Sequence, residues 1–356
     1  KFAGVTVSQN SGQPGKDGGT IRIRGLGTIN NANPLVIVDG IESSMNNINP
    51  NDIENISVLK DGPSAAIYGS KAANGVILIT TKKGKFGEPQ LNYTGYVGVQ
   101  DPTRLPNYMR SFDHATILNE ALRNEGKSVR FSDEDLAAYK SGVNTDAHPD
   151  TDWLDLLYAG NGLQQSHGFQ VLGGTDNVKY MASGGFLGQN GVIKVADSKR
   201  YNLRTNVSAN LTKKLTVDFG LAYNYQRINE PINPYTSDMA QIFRQVNRIP
   251  SFIPYKYQNG QYGYYGDGNP IAWMDMESTD QMIYKHTQIN LAAEYELFDG
   301  LKFKQVVGFQ PIDNMSNKFA KDIQYYDSVT GAPTVTQGPN KLTVYNFQSE
   351  RLTMQS

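Results

Sequence analysis

The sequence predicts a small α+β domain followed by the strands of an antiparallel β-barrel that crosses a membrane. Two observations lead to this prediction. Over residues 5–83, short β-like runs alternate with turn signals, and from residue 88 onward apolar residues recur at every second position. Runs in the second region reach the ~10 residues that a tilted strand needs to cross a bilayer. We therefore divide the chain near Lys85, into residues 1–85 and residues 86–356.

The composition excludes several other classes of protein. Cysteine is absent, so disulfides and thiol chemistry are excluded. No apolar run approaches the ~18 residues of a membrane-spanning helix. The net charge is -1 and the basic residues are scattered, which predicts no nucleic-acid partner. The 35 Gly, 21 Tyr and 14 Phe are typical of a turn-rich, aromatic-rich β-protein.

In the first region, four strands and one helical turn are predicted. The strands cover residues 20–24, 34–38, 56–60 and 76–81. Pro63 suits a first helical turn, residues 64–68 can form that turn, and Gly69 can end it.

Aspartates mark the predicted turns of the first region. Asp39-Gly40 and Asp61-Gly62 are pairs in which glycine can adopt a positive φ. Asp52 is expected to cap a short turn.

The second region contains eight predicted strands: residues 91–100, 165–172, 178–187, 201–211, 215–226, 287–297, 301–309 and 342–350. Their connections alternate in length. The tight turns are residues 173–177, 212–214 and 298–300, and the long connections are residues 101–164, 227–286 and 310–341, with 188–200 intermediate. Short turns at one end and long loops at the other are typical of an outer-membrane barrel.

A soluble β-sandwich is the alternative that also shows alternating residues. Its strands usually run ~5–6 residues, shorter than those predicted here. Eight strands could close into a small barrel, but its lumen would be filled by side chains and could not hold the first domain. A barrel of about 22 strands could, and we expect these eight to form part of one.

The alternation also predicts which residues face lipid. In residues 215–226 we expect one face toward lipid (Leu215, Val217, Phe219, Leu221 and Tyr223) and the other toward the lumen (Asp218 and Asn224).

The long connection 101–164 is predicted to contain helices. Ser111 and Ser132 are candidate helix caps. The first helix would bury one face: Ala115, Leu118, Ala121 and Leu122. Asp133, Glu134 and Asp135 fit the first turn of the second helix better than an acid-base pair.

Several segments stand in a characteristic order and spacing. Five lie in the first region: 21–25 (IRIRG), 34–40 (PLVIVDG), 49–54 (NPNDIE), 58–69 (VLKDGPSAAIYG) and 72–82 (AANGVILITTK). Others follow at 119–121 (NEA), 151–154 (TDWL), 173–175 (GGT), 179–180 (KY) and 200–206 (RYNLRTN). Over roughly residues 5–214 the chain resembles the SusC-like TonB-dependent outer-membrane transporters.

This resemblance implies a fold and a function. The first region would be most of an α+β plug domain, and the second the first strands of a 22-stranded transmembrane barrel in the bacterial outer membrane. The family imports nutrient oligomers, oligosaccharides above all and sometimes peptides, without a cofactor and without enzymatic chemistry. Its partners would be a SusD-like lipoprotein acting as a lid and the TonB complex, in a dimer of such pairs. The TonB-contacting segment would precede Lys1, and both ends are expected to be truncated.

A passive porin or an adhesin is the alternative function. A porin lumen is not closed by an N-terminal domain, so the plug signature disfavours it.

Candidate ligand-contacting residues fall in two groups. The resemblance suggests a plug surface that faces substrate: Arg24, Ser43, Ser44, Met45 and Tyr68. The aromatic and glycine-rich residues 255–273 suggest a loop site, with Tyr262, Tyr264 and Tyr265 as its candidates. Packing of these tyrosines against the barrel rim or against the lipoprotein lid is the alternative. At least one of the three is expected to line an extracellular cavity above the plug.

No other chemistry is predicted. Gly25-Leu26-Gly27 lacks the third glycine of a dinucleotide site. The four histidines lack metal-ligand spacing and are expected at surface or loop positions: His114, His148, His167 and His286.

Overall fold

The computed structural model describes residues 3–9, 11–25, 28, 31–143, 145–234, 239–326 and 332–355. We call residues 3–85 the N-terminal domain. Its strands are β1 (Val5–Ser8), β2 (Thr20–Ile23), β3 (Leu35–Val38), β4 (Ile41–Glu42), β5 (Ile53–Leu59) and β6 (Val76–Thr81). Its helices are α1 (Gly62–Ala65) and three 3₁₀ helices, Met45–Asn47, Pro50–Asp52 and Ala66–Ala72.

The N-terminal domain is built on a four-stranded sheet in the order β4-β3-β6-β5, with β3 and β6 parallel. Strands β1 and β2 form a separate antiparallel ribbon. Alternate residues bury opposite faces of the sheet because side chains on a strand alternate. Val38, Ile77 and Ile79 form one small core with Ile23 and Ile48. Ile37 and Val76 form another with Ala65 and Ala72.

Three turn predictions meet different outcomes. Asp39 and Gly40 both adopt positive φ (50° and 89°), which confirms the predicted turn. The Asp61-Gly62 turn is wrong, because Asp61 is extended and Gly62 begins α1. Asp52 is not a cap either: Asn49 caps the 3₁₀ helix Pro50–Asp52 by accepting from Asn51 N. The Asp52 side chain is instead buried and accepts a hydrogen bond from Gln170 of the second region.

The second region forms one open antiparallel sheet of eight long strands, which we call the wall. They are β7 (Gly87–Val99), β8 (Leu163–Gly174), β9 (Val178–Asn190), β10 (Asp197–Asn210), β11 (Leu215–Pro231), β12 (Thr279–Phe298), β13 (Leu301–Ala320) and β16 (Lys341–Gln355). Each pairs with the next in chain order, β13 pairing with β16. A small hairpin of β14 (Ile323–Tyr326) and β15 (Pro333–Gln337) intervenes.

All eight predicted strands are confirmed, and each is longer than predicted. Strands β12 and β13 each span 20 residues, so residues 279–286 of the predicted connection 227–286 and residues 310–320 of the predicted connection 310–341 are strand. Strand β13 was predicted to end at residue 309 but continues to Ala320. It includes Pro311, a residue type that usually interrupts strands, which here pairs opposite Glu350.

The predicted orientation of β11 is confirmed. Asp218 pairs with Lys83 of the N-terminal domain at 3.2 Å, so its face points inward. Phe219 and Tyr223, on the other face, are 40% and 36% exposed.

Aromatic side chains mark two levels on the outer face. One row crosses β7 to β11 and contains Tyr93, His167, Phe186, Tyr201 and Tyr225. Near the tight turns, Tyr295 lies opposite Leu215 and Phe303. Ten residues of tilted strand between Leu215 and Tyr225 correspond to about 25 Å, the height of the apolar band of an outer-membrane barrel.

The long connection 101–164 is structured, as predicted, and the connection between β11 and β12 also contains helices. Residues 101–162 contain α2 (Ser111–Asn124), α3 (Asp133–Lys140) and α4 (Trp153–Leu157), and α5 (Ala240–Val246) and α6 (Pro270–Asp275) lie between β11 and β12. Helices α4, α5 and α6 share a core that includes Trp153, Ile242, Trp273 and Tyr325. None of the helices in the described residues is both long and apolar enough to cross a membrane.

The predicted caps of α2 and α3 differ in outcome. Ser132 caps α3 in a capping box with Asp135, as predicted. Ser111 is not a cap: it is the first helical residue, its hydroxyl donates to Pro149 O, and its N–H donates to Asp150 Oδ1.

The predicted apolar face of α2 is partly wrong. Ala115 is buried, but Ala121 is exposed and Asn119 is buried in its place. The Asn119 amide bonds the backbone of Arg130 and Phe131, which makes a polar side chain acceptable there.

Candidate functional site between the N-terminal domain and the wall

A buried group of charges joins the N-terminal domain to the wall. Arg204 of β10 is 5% exposed, and its Nη1 lies 3.4 Å from Asp39 Oδ2 and its Nε 3.9 Å from Asp52 Oδ2. Burial raises the pKa of Asp52, while the hydrogen bond to Ser183 and the charge of Arg204 act in the opposite direction. We call Asp39, Asp52 and Arg204 the charged cluster. One cation of the wall therefore pairs with two carboxylates of the N-terminal domain.

Hydrogen bonds extend the charged cluster over neighbouring strands. Asn206 of β10 donates to Thr81 Oγ1 at 2.9 Å, and Gln170 of β8 donates to Asp52 Oδ1 at 3.2 Å. Asp39 accepts from the Thr81 hydroxyl at 2.7 Å and from its N–H at 2.9 Å. The side of the N-terminal domain that faces β8 to β10 is thus held by a connected polar network.

Residues 11–19 lie against the wall close to the long loops. Lys16 Nζ lies 2.6 Å from the buried carboxylate of Glu230, and Gln189 accepts from Gly15 N at 3.1 Å. Gly15 has φ +71°, and a Cβ there would lie 2.6 Å from Ser198 Oγ. Sequence reasoning missed this contact, although the run SGQPGKDGG was a visible signal of a tight, irregular segment.

Facing β10 to β13, the N-terminal domain and the wall border two cavities, and residues of the charged cluster line both. The upper cavity, nearer the long loops, has a volume of about 260 Å³, and the lower cavity, nearer the tight turns, about 570 Å³. Side chains lining the upper one include Ser43, Ser44, Asn47, Asn224, His286 and Arg351. Those lining the lower one include Tyr68, Lys83, Ser208, Asp218, Asn290 and Lys304.

His286 corrects a prediction. It lies in β12 and faces inward, with Nδ1 3.0 Å from Asn47 Nδ2, rather than at a surface or loop position. Among the described residues, no group of three or more His, Asp and Glu side chains is placed to hold a metal ion.

The five candidates in the N-terminal domain do not form one site. Ser43 and Ser44 line the upper cavity, and Tyr68 lines the lower one. Met45 packs against the domain's own core. Arg24 lines neither cavity; its φ is 58° and its guanidinium pairs with Asp61 at 2.5 Å on the surface.

The three tyrosine candidates lie in the layer of loops and are half-buried. All pack against the core shared by α4, α5 and α6. Tyr262 donates to Asp275 Oδ2, and burial together with this carboxylate raises the pKa of Tyr262 to about 12. The ring of Tyr264 lies 4.9 Å from that of the buried Tyr325. The tyrosines thus pack within the layer of loops rather than against the barrel rim or a lid, and ligand contact remains a prediction.

Comparison with known proteins identifies the N-terminal domain and its family. The TonB-dependent Receptor Plug Domain family model matches residues 1–76. TonB-dependent receptor P26 of Formosa agariphila is 30% identical over 294 residues, which cover 79% of this chain and 28% of that protein. TonB-dependent receptor SusC of Bacteroides thetaiotaomicron is 33% identical over 220 residues, 58% of this chain and 20% of that protein. The chain belongs to the SusC-type TonB-dependent receptors.

The N-terminal domain is therefore a plug, and the wall is part of an outer-membrane β-barrel. A solved structure of the RagAB peptide importer in its open-open state has the same fold, with a TM-score of 0.73 and 22% identity over 99% of this chain and 42% of that chain. The SusC-type chain described here spans less than a third of the length of the two curated relatives above.

Proposed function

We propose that this chain supplies the plug, residues 1–85, and the adjoining wall, residues 86–356, of a transporter that imports a nutrient oligomer across the outer membrane. The observation that carries the proposal is the polar contact between plug and wall. The charged cluster and its hydrogen bonds hold the plug against the wall's inner face.

A polar contact suits a plug that must move and return. Hydrogen bonds broken on displacement can be replaced by bonds to water, so each costs only about 0.5–1.5 kcal/mol net. An apolar contact of similar area would expose surface at about 25 cal/mol per Å². Breaking the whole network at once still costs the sum of these small terms. Opening therefore needs external work, which the TonB complex supplies in this proposal.

An oligosaccharide is the first candidate substrate, and a peptide the second. Uncharged hydrogen-bonding side chains are prominent on the inner face beside the cavities: Asn206, Ser208, Asn224, Gln288 and Asn290. Amide and hydroxyl groups of this kind suit the many hydroxyls of a sugar. The likeness to a peptide importer keeps peptides as the alternative.

A SusD-like lipoprotein is the proposed lid, in a dimer of transporter-lipoprotein pairs. Support comes from the kinship with SusC and from the structured loops. Helices α2 to α6 form a folded layer at the long-loop end, and such a layer offers a defined docking surface. In this proposal Ser43 and Ser44 contact substrate that enters the upper cavity, while Tyr68 meets it lower down.

Uptake by cells tests the proposal directly. Labelled oligosaccharides and peptides would be supplied to cells that carry the native receptor, with and without a functional TonB complex. Import that requires both the receptor and the TonB complex supports the proposal. Import that persists without the TonB complex would instead support the passive porin.

A further inference from the structure

Three basic residues lie side by side on the wall. Lys199 of β10 is paired directly opposite Arg227 of β11, and Lys285 of β12 is paired opposite Tyr225, two residues before Arg227. Directly opposite side chains in a sheet begin about 5 Å apart and diagonal ones roughly 7–8 Å apart, so the three cations are neighbours. We call Lys199, Arg227 and Lys285 the basic patch.

The basic patch faces outward, away from the plug. Side chains alternate along a strand, and Lys199 and Arg227 are each two residues from Tyr201 and Tyr225, whose rings lie 6.1 Å apart on the outer face. Strands β10 to β12 each have a neighbour on both sides in the wall, so this part of the sheet is complete within the chain. The basic patch therefore belongs to the lipid-facing surface rather than to the two cavities.

The basic patch marks the upper end of the apolar band. On β11 every outward residue from Leu215 to Tyr225 is apolar or aromatic, and Arg227 is the next outward position. On β10 and β12, too, the first charged outward residue above the band is basic: Lys199 and Lys285. The long-loop end of an outer-membrane barrel lies outside the cell, and interfacial aromatics lie at the level of the lipid headgroups. The three cations are therefore level with the headgroups of the outer leaflet.

Two acids adjoin the basic patch without neutralising it. Lys285 Nζ lies 2.9 Å from Asp313 Oδ2, which makes a full ion pair. Arg227 Nη2 lies 3.8 Å from Asp197 Oδ2, beyond hydrogen-bond distance, and the Arg227 guanidinium donates no hydrogen bond among the described residues. Lys199 is exposed and pairs with no acid in the described part of the chain. A surplus of positive charge therefore remains on Lys199 and Arg227.

Positive charge at this level is confined to three strands. The corresponding outward positions are neutral on β8, β9 and β16, at Gln165, Gly188 and Gln348, and acidic on β13, at Asp313. Two inter-strand spacings of about 4.8 Å make the basic patch roughly 10 Å wide. This width suits a single anionic headgroup better than an extended polyanion.

We propose that Lys199 and Arg227 bind the phosphate of a lipid in the outer leaflet, with Lys285 completing the positive surface. Phosphate oxygens accept charge-assisted hydrogen bonds, and the planar fork of an arginine matches their geometry. A lipid beside the wall places its acyl chains on the apolar band and its headgroup at the basic patch at the same time. A free phosphate would gain only the second contact, so the position at the edge of the band favours a lipid. The site lies outside the barrel and is independent of the proposed function.

Binding of lipid A by the native receptor tests the proposal. The purified, delipidated receptor would be mixed in detergent with lipid A that either carries its phosphates or has been enzymatically dephosphorylated. Native mass spectrometry would count the bound molecules over a concentration series. The test variant is Lys199→Gln with Arg227→Gln. Its matched control is Lys213→Gln with Lys214→Gln, which removes two cations from the tight turn at the other end of the wall.

The wild type and the control should bind phosphorylated lipid A alike. Each Lys or Arg near a charged lipid surface strengthens binding about fivefold, so the test variant should bind roughly 25-fold more weakly. Dephosphorylated lipid A should bind weakly to all three proteins. Equal binding by the test variant and the control would overturn the proposal, as would equal binding of the two lipids by the wild type.

A charge-preserving variant and a competitor complete the test. Lys199→Arg with Arg227→Lys keeps both cations and should keep most of the binding. A loss as large as that of the glutamine variant would show that charge is not the cause and would overturn the proposal. An excess of inorganic phosphate should displace little of the lipid, because it cannot contact the apolar band. Complete displacement would identify a site for free phosphate and overturn the assignment to a lipid.

Discussion

Arg204 illustrates how one side chain can decide where a domain sits. It projects from a wall strand to two carboxylates of the plug, at a position that is 5% exposed. Neither its pairing nor the burial of Asp52 was predictable from the sequence, because both depend on the register between two separately folded regions. The sequence did indicate that even-numbered residues of the neighbouring strand β11, such as Asp218 and Asn224, face inward.

Replacing Arg204 should loosen the plug. Arg204→Ala leaves Asp39 and Asp52 without their cation, a change that typically costs about 3–5 kcal/mol for a buried pair. Limited proteolysis of the native receptor in membranes should then cut the plug faster than in the wild type. Arg204→Lys, which keeps the charge, should be intermediate.

Asp52→Asn is the informative partner of that variant. Burial raises the pKa of Asp52, so its charged form is already disfavoured in the folded protein. We therefore expect this neutral, similarly shaped residue to cost less than Arg204→Ala. Equal protease sensitivity of the two variants would contradict the role assigned to the charged cluster.

Gly15 is a second residue with a sharp expectation. Gly15→Ala combines a left-handed φ of +71° with an approach of 2.6 Å to Ser198 Oγ, and should destabilise the seating of residues 11–19 by about 1–3 kcal/mol. Hydrogen exchange of these amides should rise. Gly12→Ala is the matched control, because a Cβ at Gly12 meets nothing within 4 Å; a similar effect from both would argue against the close contact.

At the scale of elements, the alternation of apolar and polar residues predicted the strands of the wall well. Single-residue signals such as helix caps predicted the long connections less well. A long amphipathic strand repeats its signal many times, so all eight strands were found. A cap or a buried polar residue depends on one contact: Ser111 lost its predicted role because Asp150, 39 residues away, occupies the helix terminus. The ends of β12 and β13 were missed because polar residues above the apolar band resemble loop sequence.

Helix α3 allows a quantitative test of a predicted element. Ser132→Ala removes the acceptor for Asp135 N–H, which lies 3.1 Å away, and should destabilise α3 by about 1 kcal/mol. Hydrogen exchange of residues 133–140 should accelerate about fivefold. Ser141→Ala, at the other end of α3, should have a smaller effect, and equal acceleration would contradict the capping box.

Acid provides a second test of the same helix. The hydrogen bond with His148, followed by those from Ser132, lowers the pKa of Asp135 from 3.8 to about 2. A carboxylate with a lowered pKa stabilises the fold above its ordinary value, and that stability disappears as the pH falls through the lowered value. Protection of α3 should therefore decline between pH 3.8 and about 2, and Asp135→Asn should remove that decline.

At the scale of the whole molecule, the plug lies against the inner face of the wall. The order and spacing of segments in the sequence predicted both regions and their kinship with SusC-type receptors. They could not predict the two cavities, because the plug and wall residues that line them are far apart in the chain: Glu42 and Gln310, which both line the upper cavity, are separated by 268 positions.

The conductance of the native receptor in a planar bilayer tests the central claim most directly. With the plug in place and no TonB complex, we predict a closed protein with almost no ion current. Removal of residues 1–85 should convert the same receptor into a wide, permanently open pore, because a barrel large enough to hold this plug leaves an aqueous channel. A large, steady current through the intact receptor would contradict the account and support a passive porin.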